Sequence, residues 1–234
     1  MGMGEEERRL RREMRRMERR RQEKIRRNLF LALLGVSILI ILAAVAVLIK
    51  MAMGKGTVDP GNVEMPEYVK AAYLTPNPYS RPQKPLEKVN GIVVHYVANP
   101  CSTARENRNY FESLKDQSGS NTTSVSSHFV IGLEGEVVQC IPLNEVAYAS
   151  NNRNSDTISI ECCHPDETGE FYDSTYQSLV KLCAYLCVEF RLKPEDVIRH
   201  YDVTGKICPK YFVDHEDKWE QFHKEVKTAM KKLK

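Results

Sequence analysis

One stretch of the chain is apolar without interruption. Residues 29–49, LFLALLGVSILIILAAVAVLI, carry no charge in 21 positions. As a helix this segment is about 31 Å long, which matches the hydrocarbon core of a bilayer. A buried soluble helix is rarely apolar all round at this length, so the pattern predicts a membrane-spanning helix. A cleaved signal peptide is the competing interpretation. Its apolar region is usually only about 7–15 residues and its charged leader is shorter than the one here. The small pair Ala44 and Ala46 lies inside the apolar run rather than after it, which favours an uncleaved anchor.

Residues 50–88 lose all periodicity and contain six prolines, so they are expected to form a stalk and an extended lead-in. From Val89 the pattern becomes regular. GIVVHYV (91–97) and DTISIECC (156–163) are β-rich apolar runs that predict buried strands. SSHFVIGLEGEVVQCIP (126–142) has two apolar runs around Glu134-Gly135-Glu136, a hairpin signal. NRNYFESLK predicts a short helix, and YDSTYQSLVKLCAYLCVEFRL a longer one with Asp173 and Ser174 as capping candidates. DHEDKWEQFHKEVKTAMKKL closes the chain as an amphipathic helix. Strands interleaved with helices predict an α/β fold, a central mixed β-sheet flanked by helices, preceded by one transmembrane helix. The expected organisation is a basic segment 1–28, the transmembrane helix 29–49, the proline-rich stalk and lead-in 50–88, and a globular domain 89–234.

Charge sets the orientation. Residues 1–28 hold twelve Arg/Lys and six Glu, a net +6, so the rest of the chain carries −3 of the total +3. Positive flanks stay cytoplasmic, which puts the N-terminus inside and the domain outside a cell membrane crossed once. The head is expected to be a charged helix that also attracts anionic lipid heads. A mildly acidic body argues against nucleic acid as a partner, because gripping phosphates needs concentrated positive charge.

IRHYDVTGKICP (198–209) concentrates the chemistry. His200 and Cys208 suit zinc, and eight residues can fold back to bring both to one ion. His95, which follows the strand run GIVV, is the best third ligand. Three protein ligands and one open position is the arrangement of a catalytic zinc, whose bound water becomes a nucleophile near neutral pH. Glu161, at the end of TISIE, could serve as the base, and Lys206 could steady a developing oxyanion. Singly, each has a plainer role: a strand histidine bonded in the core, a solvated loop lysine, a carboxylate paired with a cation.

Together, IVVHYVANP, SSHFVIGLEGEVVQCIP, NNRNSDTISIECC and RHYDVTGKICP make residues 89–213 resemble the zinc-dependent N-acetylmuramoyl-L-alanine amidases of the type-2 amidase and peptidoglycan-recognition superfamily. The resemblance implies Zn2+ held by His95, His200 and Cys208, with Glu161 as general base and Lys206 supporting the tetrahedral intermediate. It implies peptidoglycan as the partner, cleaved between N-acetylmuramic acid and L-alanine, and makes 89–234 the catalytic domain. His128 matches a histidine common in the family and is expected near the substrate or in a structural role. Some members carry a tyrosine immediately before "HF"; here that position is Ser127, which shifts the weight onto Glu161. A non-catalytic peptidoglycan-binding receptor on the same fold is the alternative, and Cys208 weighs against it. A structural envelope protein and an amidase for another wall amide are the further rivals.

Six further cysteines, Cys101, Cys140, Cys162, Cys163, Cys183 and Cys187, would be allowed disulfides in an exported domain. Cys162 and Cys163 should face opposite sides of a strand, while Cys183 and Cys187 share the apolar face of a helix. Buried thiols acting as small hydrophobes are the plainer expectation.

Overall fold

The computed structural model describes residues 4–53 and 58–233, so residues 1–3 of the head and 54–57 of the expected stalk lie outside the described residues. The chain divides into two units, Met1–Gly54 and Lys55–Lys234. The first is one helix, α1 (Glu5–Met53), running unbroken from the charged head through the apolar run. It is long and apolar enough to cross a membrane, and none of its most apolar window is buried within the chain.

In the second unit, six strands form one sheet: β1 (Val69–Ala71), β2 (Gly91–Tyr96), β3 (Phe129–Ile131), β4 (Val137–Gln139), β5 (Thr157–Cys162) and β6 (Val197–Arg199), in the order β1-β4-β3-β5-β2-β6. Only β3 and β4 pair antiparallel; the remaining neighbours run parallel. The hairpin between them turns at Gly135, whose φ of 81° and closeness to Ser174 (an added Cβ would sit 2.6 Å from its carbonyl oxygen) leave no room for a side chain.

Alternation along the strands divides the core. Ile92, Val94, Phe129, Ile131, Ile158 and Ile160 face the helices α3 (Asp173–Glu189) and α6 (Glu216–Lys232), packing on Leu179, Leu182, Leu186, Trp219, Phe222 and Val226. Fully burying each such side chain contributes about 1.5–3 kcal/mol. The opposite face places Val130 and Cys163 against Ala104 and Phe111 of α2 (Ala104–Ser113), with Leu74, Ile141 and Ala147. Cys162 and Cys163 accordingly lie in different clusters. All seven cysteines are free thiols, six buried and Cys101 exposed.

Two details depart from the expectation or add to it. Neither Asp173 nor Ser174 caps α3, which follows Tyr172 without a side-chain cap. Ser174 Oγ instead donates to the Leu133 carbonyl and ties the helix to the hairpin. The proline-rich lead-in is built into the second unit: β1 pairs with β4, and Arg108 donates to the carbonyls of Ala72 and Tyr73. Glu112 accepts from both the N–H and the hydroxyl of Thr75.

Candidate active site

Strand register assembles the site. β2 and β5 run parallel with His95 directly opposite Glu161, and side chains at paired positions share a face. Each is the only carboxylic acid or imidazole group of its strand, GIVVHY and TISIEC respectively. β6 flanks β2 on its other side with Arg199 opposite Val94, so the next residue, His200, starts α4 (His200–Thr204) beside His95. The two imidazole centroids are 4.7 Å apart. Arg199 pins this corner with bonds to Asp202, Glu216 and the Phe212 carbonyl.

The loop after α4 then folds back. Gly205 ends the helix in a left-handed conformation (φ 78°), and Tyr201 N–H donates to the Cys208 carbonyl at 2.9 Å. This return brings Cys208 Sγ to 3.8 Å from His95 Nδ1. His95, His200 and Cys208 are all buried, and each offers a ligand atom within 4.8 Å of the others.

The electrostatics suit a cation. Burial pulls the His95 imidazole well below its usual range, reinforced by the charges of His200 and Lys206. His200 is lowered by burial and by Lys206. Both rings are therefore neutral near pH 7, the form that ligates a metal. The Cys208 thiol is pushed up to about 12 by burial and the charge of Glu161, with the Tyr96 backbone N–H and Lys206 pulling the other way. A bound metal removes that proton outright. Glu161 lies 4.0 Å from His95 Nδ1, and its Oε2 is buried with no hydrogen-bond partner. Burial lifts its carboxyl to about 8 against the opposing charge of Lys206. Two neutral imidazoles, a thiol and a carboxyl with one unbonded buried oxygen fit a zinc ion with a base beside it.

Lys206 is exposed on the returning loop, and its charge acts on His95, His200, Glu161 and Cys208. His128 is not brought to the cluster. It is buried, with one ring nitrogen on Ser159 and the other on the Glu145 carbonyl. Ser127 is also buried, donating to Ser159 Oγ. Sequence inspection missed Ser150 and Asn151, which touch the outward nitrogens of His95 and His200 at 3.2 and 3.0 Å. Their one advance sign was the asparagine-rich NNRN loop, whose role depends on tertiary contact.

The sequence profile of the N-acetylmuramoyl-L-alanine amidase family matches residues 85–211. The chain belongs to this family. The match spans every strand of the amidase sheet except β1 and contains all the candidate site residues. The chain is 32% identical over 174 residues to the N-acetylmuramoyl-L-alanine amidase CwlL of Bacillus licheniformis, covering 68% of this chain and 46% of that protein. It is also 32% identical over 180 residues to the amidase BlyA of Bacillus subtilis (strain 168), covering 68% and 47%. The chain thus spans about half the length of the curated relatives it matches. Among solved structures, PlyL superposes with a TM-score of 0.55 at 24% identity over 69% of this chain and 98% of that one. A mutant endolysin from Bacillus subtilis gives 0.57 at 23% identity over 68% and 97%. These likenesses establish an amidase-like fold.

Proposed function

We propose that this chain is a membrane-anchored, zinc-dependent amidase that hydrolyses the bond between N-acetylmuramic acid and L-alanine in peptidoglycan. The observation that carries the proposal is the convergence of His95, His200 and Cys208 within 4.8 Å, with Glu161 4.0 Å from His95 and its buried Oε2 without a hydrogen-bond partner. The family membership and the named relatives supply the substrate class.

His95, His200 and Cys208 hold the metal, which when bound supplies Lewis acidity toward the scissile carbonyl and an activated water. Glu161 takes the proton released as water attacks and returns it to the departing amine of L-alanine. Its burial keeps competing solvent away from that proton. Lys206, on an exposed loop, places its ammonium by the carbonyl oxygen as negative charge builds there. The neutral imidazoles add no positive charge of their own, so the Lys206 ammonium is the charge that this chain's own side chains bring to the oxyanion.

The helix over residues 29–49 crosses the membrane once, with the basic residues 1–28 cytoplasmic and the catalytic domain, expected over 89–234 with its lead-in 50–88, on the outside. Incubating the zinc-loaded chain with purified muropeptides tests the reaction. Products with free lactyl ends and peptides beginning with L-alanine are expected. New ends at any other bond would identify another amide as the substrate, and zinc-dependent binding without products would favour the receptor alternative.

A further inference from the structure

Two consecutive residues, Ser150 and Asn151, each meet one of the two histidines from behind. Ser150 Oγ lies 3.2 Å from His95 Nε2, and Asn151 Oδ1 lies 3.0 Å from His200 Nε2. An amide oxygen only accepts, so the His200 contact requires a proton on Nε2 and leaves the lone pair on Nδ1. For His95 the inward nitrogen is also Nδ1, which faces Cys208 Sγ at 3.8 Å and Glu161 at 4.0 Å. A hydroxyl both donates and accepts, so the Ser150 contact is compatible with the same tautomer for His95 and orients that ring without choosing it.

The segment carrying these residues is held rigidly. Asn154 Oδ1 accepts from the backbone N–H groups of Ala149 and Ser150 at 3.0 and 2.5 Å. Thr157 Oγ1 donates to the Arg153 carbonyl and joins the segment to the start of β5, the strand that bears Glu161. Asn151 itself has φ 53°, a left-handed conformation that Asn and Asp adopt more readily than other residues with side chains. A left-handed asparagine aimed at a buried imidazole is strain placed at a site.

We propose that residues 150–154 form one positioning clamp that orients both histidine ligands and fixes the tautomer of His200, so that a single loop presets two of the three metal-binding atoms. Ser150 and Asn151 are positioning residues: they act through His95 and His200 and touch neither metal nor substrate. This inference rests on the zinc assignment above. Loss of a partner of this kind typically lowers metal affinity about 10- to 100-fold.

The test measures zinc affinity of the full chain in detergent by chelator competition, and the imidazole tautomers by 15N NMR of the metal-free protein. Asn151→Gly keeps the left-handed backbone and removes the acceptor. It should weaken zinc binding about 10- to 100-fold and give His200 mixed tautomers. Asn151→Asp keeps both backbone and acceptor, and should bind zinc within a few-fold of wild type with the Nε2–H tautomer retained. Ser150→Ala should weaken zinc binding in the same direction through His95. If Asn151→Gly binds zinc as tightly as wild type and keeps a single His200 tautomer, the clamp is refuted while the zinc assignment stands. A wild-type chain that takes up no zinc overturns both.

Discussion

The carboxyl of Glu161 is the most consequential single group to perturb. It sits among apolar strand residues with only 14% of its side chain exposed, and its proton affinity is shifted from 4.5 to about 8. The folded state therefore binds a proton that the unfolded chain has lost over that interval. In the metal-free protein the stability linked to Glu161 is complete below pH 4.5 and is lost as pH rises to about 8. At about 1.4 kcal/mol per unit the loss is roughly 3–5 kcal/mol, or on the order of 10 °C in melting temperature for a domain of this size. Glu161→Gln removes the titration. It should match wild type within about 1 kcal/mol near pH 4.5 and exceed it by a few kcal/mol at pH 8. Burial holds His95, His128 and His200 below their usual range, so they contribute the opposite slope, stability rising with pH. The difference between variant and wild type isolates the carboxylate from them. Urea melts in chelator at a series of pH values supply both curves. The zinc-loaded variant should meanwhile lose turnover about 10²- to 10⁴-fold. Superimposable pH profiles would show that the carboxylate is solvated, and retained turnover would show that it is not the base.

Three further outcomes follow from the geometry. Lys206→Ala should keep zinc and lower kcat about 10²-fold, whereas Cys208→Ala should weaken zinc binding and turnover together; metal content measured beside activity separates them, and zinc loss in the lysine variant would contradict the division. Burial favours the neutral form of Glu112, but hydrogen bonds from Lys115 and Thr75 and the charge of Arg108 outweigh it and hold the carboxyl at about 2. Its stabilisation is present above 4.5 and fades as pH falls toward 2, so Glu112→Gln should be less stable than wild type at pH 5 and converge with it in acid; a constant gap in urea midpoints would defeat this. Phe222→Ala, beneath Trp219 in the helix-covered core, should cost about 3–5 kcal/mol in chemical denaturation, and a loss under about 1 kcal/mol would mean the site repacks.

The strands bearing His95 and Glu161 were legible because their apolar runs are long and β-branched. The hairpin was legible through Glu134-Gly135, and α6 through its helical spacing. His95, His200 and Cys208 were read as candidate ligands from residue type and the returning loop, and the structure brings the three together. β1 was not legible, because three residues among prolines carry no period and their pairing comes from a partner strand remote in sequence. Ser174 read as a cap since capping is judged locally, whereas its hydroxyl is claimed by the hairpin. His128 carries the same side chain as the candidate ligands, and only its bonds to Ser159 and the Glu145 carbonyl distinguish it. Ser150 and Asn151 are ordinary loop residues until the fold sets them against two imidazoles.

The pairing of His95 with Glu161 makes the site a checkpoint on its own folding. A slip of β5 by one residue against β2 would replace Glu161 with Ile160 or Cys162 and turn the carboxylate into the layer packed by α3 and α6. Only the observed pairing of β2 with β5 sets His95 and Glu161 side by side. The geometry of the candidate site is thus encoded in strand register, and it exists only once β5 has paired with β2 in this alignment.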